Sequence, residues 1–154
     1  MKRLVAAAFA CLTLACSSGN RAQILQPELD IVQIMGPQEL NYQQGQIEIQ
    51  YGLRIANRSS EPISLRQLLL ESVGSGGPYR LRRETYFLQR EVPPNQFVDV
   101  VFWAKAYSNG DFASIDATAP VTIRGTAYFQ SASGDFRQVF VKLLTQMGGS
   151  SREQ

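Results

Sequence analysis

The chain has 154 residues, 44% of them hydrophobic, which fits one domain with a substantial core and excludes a disordered chain. Its 15 basic and 13 acidic residues become 13 and 13 once Lys2 and Arg3 are set aside with a segment that we expect to be removed, so the charge does not favour a nucleic-acid partner. The sequence contains no histidine, which removes the commonest general base and the commonest metal ligand.

The first fifteen residues have the pattern of an export signal. Lys2 and Arg3 precede an uncharged, apolar run over residues 4–14. This run is shorter than the roughly 20 residues that a bilayer-spanning helix needs, and its basic flank is typical of a secretory signal peptide. We therefore expect residues 1–15 to be a signal peptide.

The end of this segment, LTLAC, resembles the lipobox of bacterial lipoproteins, in which a small residue precedes an obligatory cysteine. Ala15 and Cys16 match that pattern. The resemblance implies that Cys16 becomes the lipidated first residue of the mature chain, with residues 16–27 as lipidated N-terminus and tether. Ser17 after the cysteine implies sorting to the outer membrane, facing the periplasm. The alternative is ordinary signal-peptidase cleavage nearby, which leaves Cys16 unmodified.

The two cysteines give the folded part no cross-link. We expect Cys11 to leave with the signal peptide, and the lipobox resemblance implies that Cys16 carries acyl chains on its sulphur. The domain then depends on its core alone, although it resides in an oxidising compartment.

Alternation of apolar and polar residues predicts the first strands. The segment 28–34 is the first strand candidate, with Leu29 and Ile31 on the face opposite to Val32 and Ile34. The segment 47–56 follows a period of two and places five apolar residues on one face, as in a half-buried strand. Asn57 and the residues after it are typical of a turn and end this strand. The segment 63–73 fits neither period cleanly, and we predict a strand because the surrounding segments are β.

The middle of the chain predicts two more strands. Residues 79–89 alternate again, as one strand with Tyr79, Leu81 and Phe87 on the same side. Residues 97–107 are apolar on both faces, which indicates a strand well inside a sheet or one whose outer face is covered.

The last two strands, 121–129 and 135–144, form a hairpin whose turn contains Gly134. About seven strands without a long helix predict an all-β fold, an antiparallel β-sandwich of the immunoglobulin or fibronectin type over residues 28–145. A small β-barrel is the alternative. Residues 146–154 form a polar tail.

Three segments resemble the late-embryogenesis-abundant type 2 family, also called the water-stress and hypersensitive-response (WHy) domain. They are YGLRIANRSSEPISL, VPPNQFVDVVF and VTIRGTAYFQSASGDFRQVF. The resemblance covers roughly residues 29–144. It implies a fibronectin-like sandwich without known catalytic residues, and a role in stress tolerance or in binding apolar or membrane partners.

The sequence supports no common catalytic or metal chemistry. Without histidine, and with both cysteines at the N-terminus, the chain lacks the ligands of a zinc site and the base of a serine triad. Lys105 and Lys142 lie on predicted strands, and we favour the interpretation that both lie on solvated faces. Asp111 and Asp116, in the polar loop 108–119, come nearest to a calcium loop, but a solvated loop is favoured. That loop is also a candidate for binding. We predict a protein that is not an enzyme and has no cofactor or metal.

One basic cluster is a candidate anion-binding surface. Arg80, Arg82 and Arg83 lie close to Arg90 and are interleaved with aromatic residues. Arginine binds phosphate or anionic glycan oxygens well. The alternative, which we favour, is a strand protected by charge against aggregation.

These patterns lead to one main function and two rivals. We expect a membrane-anchored, non-enzymatic envelope lipoprotein with a binding or stress-protective role, whose partners are the membrane through its lipid and an envelope protein or anionic surface. The first rival is an accessory subunit of an envelope secretion or transport complex, because another subunit could cover one apolar face of 97–107. The second is a hydrolase of envelope polymer with carboxylates from distant strands.

Overall fold

The structure, a computed structural model, describes residues 26–36, 45–74, 77–108 and 119–145. The predicted signal peptide, Cys16, most of the tether and the polar tail lie outside these ranges. The described residues form eight strands: β1 (Glu28–Met35), β2 (Gln46–Ala56), β3 (Ile63–Ser72), β4 (Tyr79–Leu81), β5 (Glu84–Val92), β6 (Phe97–Ser108), β7 (Val121–Ser131) and β8 (Gly134–Leu144). They contain no helix, and therefore none that could cross a membrane.

The strands form two four-stranded antiparallel sheets. The front sheet has the order β1-β2-β6-β4, and the back sheet has the order β5-β3-β7-β8. The predicted all-β, antiparallel fold is confirmed, as is the closing hairpin of β7 and β8. In the described ranges the strands lie in two separate sheets and not in one closed barrel.

The apolar face of β2 lies at the centre of a core that both sheets share. Its five alternate apolar residues are all buried, as predicted: Ile47, Ile49, Tyr51, Leu53 and Ile55. Burying five such side chains contributes roughly 7–15 kcal/mol before the entropy cost of folding is subtracted. The rings of Phe102 in the front sheet and Tyr86 in the back sheet lie 5.2 Å apart, so the sheets pack face to face as in a sandwich.

The prediction of one strand over 79–89 was wrong, because the chain changes sheets at Arg82 and Arg83. Strand β4 pairs with β6 in the front sheet, whereas β5 pairs with β3 in the back sheet. Tyr79 and Leu81 are buried, but Phe87 is 75% exposed, so these three residues do not share a side. This split raises the number of strands from about seven to eight.

A β-bulge explains why the apolar residues of 63–73 fit no single period. In the pairing of β3 with β7, Leu65 faces Phe129 and Gln67 faces Tyr128. Because Phe129 and Tyr128 are consecutive, Arg66 is an extra residue without its own partner on β7. A bulge of this kind reverses which side of the strand later residues face. The buried residues therefore change from odd to even positions along β3: Ile63, Leu65, Leu68 and Leu70.

Asn57, which follows β2, is the one charged or polar side chain among the described residues that is fully buried, at 1% exposure. Its Nδ2 donates to the main-chain carbonyls of Glu61, Val92 and Pro93, at 2.8, 3.1 and 3.2 Å. Its Oδ1 accepts from the N–H and the hydroxyl of Ser59, at 3.0 and 2.7 Å. One side chain thus holds the β2–β3 turn against the β5–β6 turn.

Three turns gather at the end of the domain where β1 begins. The contacts that join them are Asn57 N to Gln96 O at 2.8 Å, Ser133 Oγ to Glu61 Oε2 at 3.2 Å, and Arg58 to Glu28 at 3.0 Å. We call this the turn end of the domain. The start of β1 and the three tight turns therefore lie at the same end of the domain.

Candidate functional site

The outer face of the front sheet is the most apolar exposed surface that the described residues form on a central strand. On β6, Phe97, Val101 and Trp103 are 60%, 56% and 45% exposed. Strand β6 lies between β2 and β4, so the prediction that it runs inside a sheet is confirmed. Its outer face, however, is open to solvent in the described part of the chain. An exposed apolar patch of this kind is typical of an interaction surface.

A glycine opens a groove at the centre of this face. In register across the sheet, Val32 faces Gly52 and Gly52 faces Val101. An added Cβ at Gly52 would lie 3.1 Å from Cδ1 of Ile34, and its φ does not lie in the left-handed region that favours glycine. The backbone does not need a glycine here, so its effect is to make room for the Ile34 and Val32 side chains and to leave a groove beside them. The resulting groove has a volume of about 400 Å³.

An ion pair closes one end of the groove. Nε and a terminal nitrogen of Arg54 donate to the two carboxylate oxygens of Asp99, at 2.7 and 2.8 Å. The hydrogen bond from Arg54 holds the pKa of Asp99 below its usual value, and the same bond raises the pKa of Arg54. The Arg54 guanidinium also lies 4.8 Å from the ring centroid of Phe97. Both side chains are thereby fixed in orientation on the face.

The other end of the face holds part of the predicted arginine cluster. Arg80 is exposed and faces Tyr107 across the sheet, and the Arg82 guanidinium lies 4.4 Å from the Tyr107 ring centroid. Arg83 is exposed in the connection to β5. Arg90 lies on β5 in the other sheet, so the structure separates it from the others. These arginines line neither the groove at Gly52 nor a second groove on the back sheet.

The back sheet carries a second groove that the sequence did not predict. It has a volume of about 470 Å³ and is lined by Arg66, Tyr128, Asp135 and Arg137 among others. Arg66 donates a hydrogen bond to Gln130. These arginines lie far apart in the sequence, so only the pairing of β3, β7 and β8 brings them to one face.

Two buried tyrosines form a hydrogen-bonded pair in the core. The hydroxyls of Tyr51 and Tyr79 lie 2.7 Å apart, and Tyr79 donates to Oε1 of Gln33. Burial raises the pKa of Tyr51 well above its usual value. Because a phenol with so high a pKa stays protonated, this pair stabilises the core and does not provide a base at neutral pH.

The remaining predicted positions divide between described and undescribed residues. Cys16, Asp111 and Asp116 lie outside the described ranges. Lys105 and Lys142 are exposed on their strands, and Lys142 pairs with Asp30 at 2.7 Å. Among the described residues no group of three or more His, Cys, Asp or Glu side chains could hold a metal ion.

Comparisons with known proteins give the fold alone. No known protein family and no curated protein matches the chain. An X-ray structure of a Northeast Structural Genomics Consortium target is similar, with a TM-score of 0.51 and 14% identity over 84% of this chain and 92% of that one. A crystal structure of a protein from Archaeoglobus fulgidus has a TM-score of 0.49 and 11% identity over 77% of this chain and 94% of that one.

Proposed function

We propose that this chain is a lipid-anchored, non-enzymatic protein of the cell envelope whose β-domain binds or protects other molecules, as its resemblance to the WHy domain implies. The observation that carries the binding role is the exposed apolar face around Gly52, Val101 and Trp103. Solvent-exposed apolar side chains on a central strand favour a contact surface over an unused one. The anchor rests on the lipobox-like LTLAC segment.

The strand order supports an immunoglobulin or fibronectin type of sandwich. In the constant-type immunoglobulin domain, strands A, B, E and D form one sheet and C, F and G the other. The front sheet, β1-β2-β6-β4, has the order expected for A-B-E-D, and β3-β7-β8 has the order expected for C-F-G. Strand β5 is then an additional edge strand beside β3, and along the chain it lies between the strands in the D and E positions. This correspondence also supports the resemblance to the WHy domain.

The anchor is tested by metabolic labelling of cells with a radioactive or clickable fatty acid. We expect the full-length chain to take up label and to stay with the membrane fraction, and Cys16→Ser to abolish both. Cys11→Ser is the matched control and should be labelled as the wild type is. A wild-type chain without label, or a labelled Cys16→Ser chain, contradicts the anchor.

The protective role is tested with a client enzyme. We expect the full-length chain, solubilised in detergent, to reduce the freeze–thaw inactivation of lactate dehydrogenase more than an equal mass of serum albumin in the same detergent. Trp103→Glu should lose this advantage if the front face makes the contact, whereas Phe87→Glu, on the back sheet, should keep it. Protection no better than that of albumin contradicts the role.

The second candidate function, an accessory subunit of an envelope secretion or transport complex, is favoured by the same exposed face of β6. Replacement of Val101 by a photo-crosslinking amino acid would place the reactive group at the centre of that face. We expect an adduct with a subunit of such a complex, identified by mass spectrometry, if this function holds. An adduct that contains only this chain argues against it.

A further inference from the structure

We propose that two copies of this chain pair face to face through the outer face of the front sheet. The inference does not depend on the lipid anchor, because the described strands β2 and β6 alone supply the surface that carries it. The occupant of the exposed apolar face is then a second copy of the chain, so a client molecule would bind this face only after the two copies separate.

Charged and uncharged side chains follow a regular order on the outer face of the two central strands, β2 and β6. Four rows of cross-strand partners follow one another along the sheet: Arg54–Asp99, Gly52–Val101, Gln50–Trp103 and Glu48–Lys105. Both outer rows carry charges, and the two inner rows are uncharged. On β6 the acidic residue is at the first row and the basic residue at the fourth, whereas on β2 the order is reversed.

This order is complementary to itself under a two-fold rotation. Consider an axis in the plane of the interface, perpendicular to the strands, between the second and third rows. The rotation places Asp99 opposite Lys105 of the second copy and Arg54 opposite Glu48 of the second copy. Every charge in the two outer rows then faces the opposite charge, and each set of four charged side chains alternates in sign.

The uncharged rows fit the same rotation. Val101 comes opposite Trp103 of the second copy, and the groove at Gly52 receives the Gln50 side chain of the second copy. Outside these rows Phe97 comes opposite Tyr107 of the second copy, because these two residues end the ladder on either side. An apolar centre between two charged rims is the usual anatomy of a protein interface. Gly52, over which the Ile34 and Val32 side chains of the same chain lie, leaves the groove that this contact uses.

The face has the size of a small protein interface. The ladder of β2 and β6 has eleven residue pairs. At about 3.4 Å per residue and about 4.8 Å between strands, the 8, 11, 12 and 3 residues of β1, β2, β6 and β4 cover about 550 Å². A standard interface buries about 800 Å² on each partner. The two sheets would pack with nearly aligned strands, as in known sheet-on-sheet contacts.

The charge pattern favours a second copy over a membrane surface. On β2 and β6 the two charged rows contain two acidic and two basic residues, so they are neutral together. Asp30, which extends the first row on β1, pairs with Lys142 of the same chain at 2.7 Å. A neutral surface of alternating sign has no net attraction to an anionic bilayer. It does select a partner with the same pattern in the opposite direction, which a second copy provides.

The test uses two charge-reversal variants. Each should pair poorly with a second copy of itself, and the two should pair well with each other. Full-length chains with one of two C-terminal tags are co-expressed, the membranes are solubilised in detergent, and one tag is captured. We expect the wild type to co-elute with itself. In a pair of Lys105→Glu chains the new carboxylate lies opposite Asp99, and in a pair of Asp99→Lys chains the new ammonium lies opposite Lys105. Like charges then meet in both pairs, so each variant should co-elute with itself at least tenfold less.

Co-expression of the Lys105→Glu chain with the Asp99→Lys chain restores both attractive contacts, and co-elution should return to within twofold of the wild type. A variant that merely misfolds would not be rescued by mixing. The control is Arg137→Glu, an exposed reversal on the back sheet, which should leave co-elution unchanged. Wild-type chains that do not co-elute, reversals without effect, or reversals that mixing does not rescue would each overturn the proposal.

The photo-crosslinker at Val101 gives an independent readout. The proposal expects a band at twice the mass of the chain that carries both tags, and no such band from the matched position Val139 on the back sheet, which is equally exposed. An adduct only with another protein, or only with lipid, contradicts the pairing. Because neither readout depends on fatty-acid labelling, failure of the pairing and failure of the anchor can be told apart.

Discussion

Asn57 shows how much of a local structure a single side chain can hold. Its position after an alternating strand predicts a turn, and its bonds to Ser59 confirm that prediction. Its bonds to Val92 and Pro93 could not be predicted, because these partners lie about thirty-five residues away and are brought near only by the fold. A buried amide with all its polar atoms bonded is costly to disturb.

Asn57→Ala is expected to lower the free energy of unfolding by about 3 kcal/mol, because three main-chain carbonyls lose their donor in a buried site. Urea denaturation measures this change. The control is Arg58→Ala, which removes an exposed ion pair with Glu28 and should change stability by about 0–1 kcal/mol. A loss at Asn57 no larger than that of the control would show that the turns hold together without it.

The buried phenol of Tyr51 predicts a loss of stability in alkali. Burial raises its pKa in the folded state above the value of about 10 that it has when unfolded. The unfolded chain therefore loses this proton first, so the stabilisation is complete below about pH 10 and decreases as the pH rises beyond it. Tyr51→Phe should lower stability by about 1 kcal/mol at pH 7 and make the decline above about pH 10 shallower. Urea unfolding between about pH 7 and pH 11 compares the two slopes, and equal slopes would contradict the prediction.

At the scale of strands, period-two alternation located nearly every element, but the sequence predicted only one strand pairing, the β7–β8 hairpin. It failed where the chain kept alternating while it changed sheets at Arg82 and Arg83, since no glycine or proline marks that crossing. It was ambiguous in β3 because the bulge at Arg66 reverses the buried side. The charge order on the front face was not predictable either, because it depends on the register that places Arg54 beside Asp99, forty-five residues away.

The pairing of β7 with β8 places a ring over a glycine. Gly125 faces Phe140, and an added Cβ would lie 2.1 Å from Cζ of that ring. Gly125→Ala should therefore lower the free energy of unfolding by about 2 kcal/mol through overpacking. Thr126→Ala, at the next position on the opposite face, should cost clearly less.

A double-mutant cycle checks the mechanism. Phe140→Leu removes the ring that the new methyl group would meet, so Gly125→Ala should cost at least about 1 kcal/mol less in that background than in the wild type. Additive effects in denaturant unfolding would mean that the contact between these two residues is not the cause.

At the scale of the whole molecule, one core joins both sheets and no cross-link assists it. The chain has two cysteines, Cys11 and Cys16, and both precede the first strand. Side chains of the two sheets meet at Tyr86 and Phe102, so neither sheet can lose its packing alone. We expect the solubilised full-length chain to unfold in one transition, with the same urea midpoint with and without dithiothreitol. Two transitions, or a midpoint that falls in the reductant, would contradict this.

The turn end has a consequence for how the domain stands above a bilayer. If Cys16 holds the chain, residues 16–27 reach at most roughly 40 Å and join the domain beside its three tight turns. Arg80 and Arg82 lie at the far end of the front sheet, beside Tyr107, about 35 Å along the ladder. If the strands are perpendicular to the bilayer, the turn end lies near the leaflet that holds the anchor, and Arg80 and Arg82 lie at the opposite end of the domain. An anionic polymer or an opposing leaflet would then contact these arginines first.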